Sequence, residues 1–215
     1  KQGEKVLIQS GKGFYSNSDK IGKELGLFMG WLSGDGWLTS DKKIIGMVFA
    51  SNEEYIMKKM QKIAEKNKAG KGIFNKRENK TLQLLFKRKN FVELIKSLDI
   101  KPQKAHKKRV PKTIFTASEK TVTAYLNGLF CSDGTINFIN QAHRDIRLTS
   151  TSKELLKDTQ LLLLNLGIFS NIYERTKKNQ TKFSYITLKG ERKIYENKPY
   201  FELIINGNNI CKFKS

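Results

Sequence analysis

Two aspartates, Asp35 and Asp133, are the residues of this sequence best suited to chemistry, because each ends a similar stretch and is followed by glycine. Residues 25–36 read LGLFMGWLSGDG and residues 123–134 read TAYLNGLFCSDG, which align at a constant offset of 133 − 35 = 98 residues. Two carboxylates that are brought together repel each other, and a divalent cation relieves that repulsion. Because hard oxygen ligands suit Mg²⁺, the pair is a candidate site for this ion.

Small residues precede both aspartates at a spacing of four. In the first stretch they are Gly26, Gly30 and Gly34, and in the second they are Ala124, Gly128 and Ser132. On a helix this spacing places them in one stripe. Glycine inside a helix costs roughly 1 kcal/mol relative to alanine, and the best reason to keep it is the close approach of a second backbone. The sequence therefore predicts two helices packed side by side, with both aspartates together at their C-terminal ends.

The chain is strongly basic, with 41 Lys and Arg against 20 Asp and Glu among its 215 residues, a formal net charge of +21. Such a charge predicts a polyanionic partner, most commonly nucleic acid, and does not separate DNA from RNA. No apolar run approaches the roughly 20 residues of a membrane span, so we expect no membrane partner and a cytoplasmic or nucleoid-associated protein. Two cysteines make neither a disulfide framework nor a zinc site. We expect Cys131 to be buried.

The two stretches resemble the paired motifs of the LAGLIDADG homing endonucleases, specifically the endonuclease region of inteins, at residues 28–36 and 126–134. The sequence KRVP, which begins at Lys108, is similar to the Lys-x-Ile/Val-Pro block ahead of the second motif in this family. Residues 148–172 resemble the helix after the second motif in inteins, and residues 7–13 resemble the lead-in of ribonucleotide reductase inteins. Lys1 at the start and the absence of a terminal His-Asn pair indicate a chain that does not splice itself.

The resemblance implies that Asp35 and Asp133 are catalytic and bind divalent ions, together with the backbone carbonyls of Gly34 and Ser132. It also implies that Lys108 polarises the attacking water or stabilises developing negative charge. Metal ions shared between two carboxylates can do most of the work of phosphodiester hydrolysis. The implied activity is site-specific, Mg²⁺-dependent cutting of double-stranded DNA at a long, nearly asymmetric target by a monomer.

A family member with two active sites normally has a second basic residue, related to Lys108 by pseudo-symmetry. Its position would follow the second closing helix, whose first turn we expect at residues 210–213. Lys212 or Lys214 could substitute, or one strand is cut poorly. His106 and His143 are weaker candidates for a general base. Three alternatives stay open: an RNA maturase of the LAGLIDADG type, a nucleic-acid-binding protein without cleavage, and a degenerate nicking endonuclease.

The elements behind the motifs repeat, so the sequence predicts an α+β fold of two pseudo-symmetric αββαββ(α) LAGLIDADG repeats that form a DNA-binding saddle. The expected parts are a lead-in at 1–19, a first half at 20–99, a basic linker at 100–117 and a second half at 118–215. The motif helices are predicted at 20–33, capped by Ser18 or Asp19, and at 119–131, capped by Ser118. Ser152 is expected to cap a helix at 153–166, and residues 177–199 suggest an extended hairpin or loop.

Each half should offer one sheet whose outer, polar face contacts DNA. Arg, Lys, Gln and Asn are the side chains that read base edges in the major groove, which admits a β-ribbon. Many of the lysines would contact phosphate and carry no sequence information. Strand alternation places the following candidates on the exposed side: Asn75, Arg77, Thr81, Gln83, Lys87, Arg147, Thr149, Tyr173, Arg175 and Lys182.

Overall fold

The computed structural model describes residues 21–41, 43–77, 81–138, 144–175, 182–186, 192–196 and 199–214, with the backbone alone at 182–186, 193–196 and 214. The helices are α1 Lys23–Asp35, α2 Glu54–Lys66, α3 Lys89–Ser97, α4 Lys112–Phe115, α5 Glu119–Asp133, α6 Lys153–Asn165 and α7 Asn209–Lys214. The strands are β1 Gly36–Leu38, β2 Ile45–Phe49, β3 Ile73–Lys76, β4 Leu82–Phe86, β5 Gly134–Phe138, β6 Arg144–Ser150, β7 Asn171–Arg175, β8 Lys182–Ile186, β9 Arg192–Glu196 and β10 Tyr200–Asn206. The predicted α+β class is confirmed.

The first half forms a four-stranded antiparallel sheet in the order β1-β2-β4-β3. Its strands alternate between two faces, because successive side chains of a strand point to opposite sides. Ile45, Met47 and Phe49 of β2 are buried in the core, whereas Val48 is only half-buried on the other side. We call the side of each sheet turned away from the core helices its open face.

The second half repeats this arrangement in the order β5-β6-β10-β7. Strand β10 takes the place that β4 has in the first sheet, because β8 and β9 pair with each other as a separate hairpin between β7 and β10. The expectation of an extended hairpin within 177–199 is therefore confirmed, and the hairpin is an insertion into an otherwise equivalent sheet.

The two motif helices pack against each other through their small residues. A Cβ placed on Gly30 would lie 2.0 Å from the carbonyl oxygen of Tyr125, and one on Gly128 would lie 2.3 Å from that of Leu27. The helix backbones themselves are thus in contact, which is the close approach that the glycine spacing predicts. We call this contact between α1 and α5 the glycine seam.

Large apolar side chains on the flank of the seam join the first motif helix to the core of the first half. Phe28 of α1 packs against Phe86 and Phe91, with ring centroids 6.0 and 5.5 Å away. Trp31 stacks on Phe49 at 5.1 Å. These rings account for much of the first-half core, because aromatic side chains remove the most apolar area from water.

Helix starts follow the predicted capping residues in the second half but not at α1. The hydroxyl oxygens of Ser118 and Ser152 accept hydrogen bonds from the backbone N–H groups of Thr121 and Leu155. Helix α1 instead begins at Lys23 after Gly22, which has φ 77° and gives no side-chain cap, so the prediction of Ser18 or Asp19 as the cap is wrong. The positive φ explains the difference, since glycine adopts it without a steric penalty.

The linker between the halves is held against the protein at several points. It contains a 3₁₀ turn, Ala105–Lys107, and the short helix α4, which the sequence did not predict. The hydroxyl of Thr113 donates to the carbonyl oxygen of Leu98 at 2.8 Å. Within the described ranges, no helix has the length and apolar character needed to cross a membrane.

Candidate active site

The glycine seam ends where both motif aspartates stand. A Cβ on Gly34 would lie 1.9 Å from the Ser132 hydroxyl oxygen and 3.1 Å from an Asp133 carboxylate oxygen. Asp35 and Asp133 are the last residues of α1 and α5, so each carboxylate is at the negative end of its helix dipole. The structure thus brings together the two aspartates whose meeting the repeat predicts.

The electrostatics of this pair disfavour the charged carboxylates. The pKa of Asp35 is raised to about 6, first by loss of hydration, then by the charge of Asp133, while Lys108 acts in the opposite direction. Loss of hydration likewise raises the pKa of Asp133, and Lys108 again lowers it. A bound cation would stabilise both charged forms, because opposite charge favours an ionised carboxylate.

Lys108 reaches the same place from the linker. Its Nζ donates to the carbonyl oxygens of Gly34 at 2.6 Å and Gly36 at 2.9 Å, which flank Asp35. Burial lowers the pKa of Lys108, and the charges of Asp133 and Asp35 oppose this shift. The ammonium therefore adds a positive charge at the negative end of α1, where it partly compensates the two carboxylates.

Two contacts from α6, in the second half, hold the backbone of the Lys108 segment. The guanidinium of Arg109 donates to both carboxylate oxygens of Asp158, at 2.6 and 2.8 Å, and the Val110 N–H donates to the same group at 3.2 Å. The Ser152 hydroxyl donates to the Lys108 carbonyl oxygen at 2.7 Å. Asp158 is only 5% exposed, so this is a buried carboxylate with matched donors.

Sequence reasoning missed Asp158, although a signal was present. Asp158 lies three residues after Leu155 and four before Leu162, both of which are buried. This spacing puts a carboxylate on the apolar face of α6, and such a group is rarely buried without a partner. An acidic residue on a predicted core face was therefore the observation that pointed to a structural anion at this position.

The donor set suits a hard divalent cation. The set predicted from the sequence is two carboxylates and the main-chain carbonyls of residues 34 and 132, and such oxygen ligands are the ones that Mg²⁺ prefers. Across the described ranges, no group of three or more His, Cys, Asp or Glu side chains could hold a metal. Two carboxylates fit Mg²⁺ in particular, since this ion usually keeps several waters and adds substrate phosphate oxygens. The Gly34 oxygen already accepts from Lys108, so any metal contact there uses its second lone pair.

Predicted DNA contacts on the first sheet lie on its open face. Asn75 and Gln83 are direct cross-strand partners. Arg77 and Lys87 are exposed just beyond the ends of β3 and β4, and Thr81 precedes β4 with its carbonyl oxygen accepting from the Arg77 N–H at 2.9 Å. Gln83 is only 6% exposed, so the prediction of an exposed glutamine is wrong.

On the second sheet the predicted arginines are paired with carboxylates of the same face. Arg147 forms two hydrogen bonds to Asp145, at 2.7 and 2.9 Å, and its Nη1 lies 3.6 Å from Glu202. Arg175 donates to Glu202 at 2.8 Å and lies 5.5 Å from the Tyr173 ring centroid. Thr149 is the cross-strand partner of Glu202. Both guanidiniums therefore form ion pairs within the sheet.

Lys212, the described candidate for the second basic residue, forms a hydrogen bond elsewhere. Lys212 donates through Nζ to the Gly167 carbonyl oxygen at 3.1 Å, just beyond the C-terminal end of α6. Lys182 is in the β8–β9 hairpin rather than the four-stranded sheet, and its side chain, like that of Lys214, lies outside the described part. His143 also lies outside it, and His106 is in the 3₁₀ turn. Cys131 is exposed, so the expectation that it is buried is wrong.

Comparisons with known proteins agree with this geometry. Residues 120–215 match the family model of the LAGLIDADG-like domain. The chain is 31% identical, over 97% of its length, to the ribonucleoside-diphosphate reductase NrdEB subunit alpha of Bacillus subtilis, of which it spans 20%. It is 29% identical, over 79% of its length, to the replication factor C small subunit of Methanocaldococcus jannaschii, of which it spans 9%. The chain thus spans a fifth or less of these curated relatives.

A solved structure of the homing endonuclease I-DmoI in complex with DNA and Mn superposes with a TM-score of 0.60 at 14% identity, and the match covers 90% of this chain and 95% of that one. The likeness extends across both halves and the seam between them. Residues 120–215 are therefore a LAGLIDADG-like domain, and the chain as a whole has the LAGLIDADG fold.

Proposed function

We propose that this protein is a site-specific endonuclease that cuts double-stranded DNA with the help of a divalent cation. One observation carries the proposal: the carboxylates of Asp35 and Asp133 meet at the end of the glycine seam, with the Lys108 ammonium 2.6 Å from the intervening Gly34 oxygen. The net charge of +21 supports a polyanionic substrate. The I-DmoI relative has been solved in complex with DNA and Mn or Ca, and with its target DNA in the presence of Mg.

In this proposal Asp35 and Asp133 hold the divalent ions, together with the carbonyls of Gly34 and Ser132. The metal supplies an activated water and neutralises charge on the phosphate. Lys108 stabilises negative charge that develops at the reacting group, and its hydrogen bonds to two helix-end carbonyls keep its ammonium in place before substrate arrives. The open faces of both sheets hold the duplex, with Asn75, Arg77, Thr81, Lys87, Arg147, Thr149, Tyr173 and Arg175 as contact candidates.

Both motifs belong to one chain, which supports action as a monomer on a long target. The two open faces differ in sequence, so the target should be nearly asymmetric rather than palindromic. The resemblance to the endonuclease region of inteins, including those of ribonucleotide reductase, suggests that the chain derives from such an element. The proposed parts remain a lead-in at 1–19, halves at 20–99 and 118–215, and a linker at 100–117.

The test is cleavage of a randomised double-stranded DNA library in Mg²⁺, with EDTA as the metal-free control. We expect one long motif to be enriched, and Asp35→Asn or Asp133→Asn to abolish the double-strand cut while binding persists. Glu65→Gln is the matched control, because this carboxylate is an exposed residue of α2 that accepts a hydrogen bond from Gln61. If the control also lost cleavage, the cause would be a general effect of removing negative charge, and the assignment of Asp35 and Asp133 as metal-binding residues would be refuted.

A nicking endonuclease is the second candidate, favoured by an asymmetry of the site. Lys108 donates to the carbonyl oxygens of Gly34 and Gly36, which both belong to the first half, whereas Lys212 donates to the carbonyl oxygen of Gly167. A supercoiled plasmid that carries the selected target distinguishes the two. Accumulation of the nicked circle would show that the two strands are cut at unequal rates. Direct conversion to the linear form would show that both strands are cut together. Binding to DNA or RNA with no cutting in any divalent metal would instead support a maturase or binding protein.

A further inference from the structure

One row of residues crosses all four strands of the first sheet on its open face and contains no polar side chain. Trp37 of β1 is the cross-strand partner of Gly46 in β2, Gly46 of Leu85 in β4, and Leu85 of Ile73 in β3. The Trp37 ring lies on Gly46, where a Cβ would be 2.2 Å from a ring carbon. Ile73 is 45% exposed, and Trp37 and Leu85 are half-buried. We call these four residues the apolar row.

The second sheet provides an internal comparison. Thr135 follows Gly134 as Trp37 follows Gly36, so the equivalent row begins at Thr135. Through its cross-strand partners it continues with Arg147, Ile204 and Asn171. Three of these four residues are polar, and Arg147 stands where the first sheet has Gly46. The two halves share strand order and register, so the difference belongs to their open faces rather than to their folds.

The surroundings of the apolar row indicate what covers it. Exposed cations lie just beyond the strand ends of the same sheet, at Arg77 after β3 and Lys87 after β4. Trp37 follows Asp35 by two residues, so the row begins beside the candidate active site. An apolar centre with a cationic border complements a partner that has apolar groups between anionic edges. The major groove of duplex DNA has this character where thymine methyl groups lie between two phosphate backbones.

We propose that the apolar row reads thymine C5-methyl groups in the half of the target beneath the first sheet. The second sheet reads the other half through the hydrogen-bonding groups of Thr149, Arg147 and Arg175. The inference rests on the proposed binding of duplex DNA and assigns it a base preference. Three strand spacings of about 4.8 Å give a row about 14 Å long, which matches about four base-pair steps of 3.4 Å.

The test replaces thymine by deoxyuridine, which removes the methyl group and leaves Watson–Crick pairing intact. Starting from the selected target, all thymines of one half-site or of the other are replaced, and metal-free binding is measured by fluorescence anisotropy. We expect only one half-site to respond, with affinity falling about fourfold for each methyl group contacted. Equal responses in both half-sites, or none in either, would overturn the proposal. Failure to bind any duplex would instead defeat the proposed function itself.

A second experiment tests whether the loss of affinity on uracil substitution depends on the apolar row. Leu85→Ala shortens one member, so the uracil penalty in the responding half-site should shrink about fourfold, because side chain and methyl group then no longer contact each other. Leu161→Ala, the same truncation at an exposed leucine of α6, is the matched control and should leave the penalty unchanged. A full penalty in Leu85→Ala, or an equal reduction in both variants, refutes the assignment of the contact. The deoxyuridine measurement on the unaltered protein decides the question even if a variant folds poorly.

Discussion

Replacing Gly30 by alanine should push the two motif helices apart. The added Cβ would lie 2.0 Å from the Tyr125 carbonyl oxygen and 2.9 Å from the Leu129 nitrogen, and both are backbone atoms that no rotamer change can move. Cβ atoms essentially never approach another heavy atom closer than 3.0 Å, so the helices must separate by about 1 Å at this point. Overpacking of this kind costs about 3 kcal/mol, and the better helix propensity of alanine returns about 1 kcal/mol.

The expected net loss is about 2 kcal/mol in the free energy of unfolding, which lowers Tm by about 4–8 °C for a chain of this length. Urea unfolding followed by far-UV circular dichroism measures it. Gly26→Ala is the graded comparison, because its Cβ would lie 2.8 Å from the Thr121 carbonyl oxygen; the cost of this smaller backbone overlap, about 1 kcal/mol, is offset by the better helix propensity of alanine. We expect that variant to remain within about 0.5 kcal/mol of the parent. A Gly30→Ala protein as stable as Gly26→Ala would refute the backbone-to-backbone packing.

Three further predictions concern the site and its substrate. Asp158→Asn should lower the free energy of unfolding by about 2 kcal/mol and reduce kcat more than DNA affinity, because it weakens the hold on the segment that carries Lys108; chemical denaturation and single-turnover cleavage measure these. The pKa of Asp35 in the folded protein is raised to about 6. The protonated carboxyl therefore contributes fully to the free energy of unfolding below about pH 3.8, and this contribution is lost as the pH rises through 6. Metal-free Asp35→Asn should therefore be more stable than the parent at pH 8, by about 1 kcal/mol after discounting for solvent exposure, and a gain that persists at pH 4 would contradict this cause. Affinity for duplex DNA should fall about 10³–10⁵-fold between 50 and 200 mM salt if 6–10 phosphates are contacted, and a flat titration would exclude an interface of that size.

The sequence alone was sufficient to predict the paired motif helices and their meeting point. An internal repeat supplies its own alignment, and three glycines at helical spacing have little physical reason to persist except a close backbone contact. The capping residues Ser118 and Ser152 were also predictable, because a serine just before a helical pattern commonly accepts a hydrogen bond from a backbone N–H of the first turn. By contrast, the start of α1 at Gly22 was not predictable. It depends on a positive φ angle, and no capping side chain in the sequence marks it.

Long-range pairing was harder to predict from the sequence. Nothing in the strand pattern says that β10, rather than β8, completes the second sheet, because both segments have strand-like composition and the choice depends on packing. The ion pairs of Arg147 and Arg175 with Glu202 were hidden for the same reason, since Glu202 comes next to them through sheet register. The contact between Arg109 and Asp158 spans 49 residues and depends on how α6 packs against the linker.

The glycine seam has a consequence for how the two halves can diverge. The separation between the two carboxylates is fixed by main chain against main chain, with almost no side-chain volume between the helices. Core residues on the flanks, such as Phe28 or Leu129, can therefore drift and repack within their own half without changing that separation. Each half is free to acquire a new open face, while the separation of the two carboxylates is inherited unchanged. The distance that the glycine seam sets between the two carboxylates therefore does not depend on which side chains the two open faces carry.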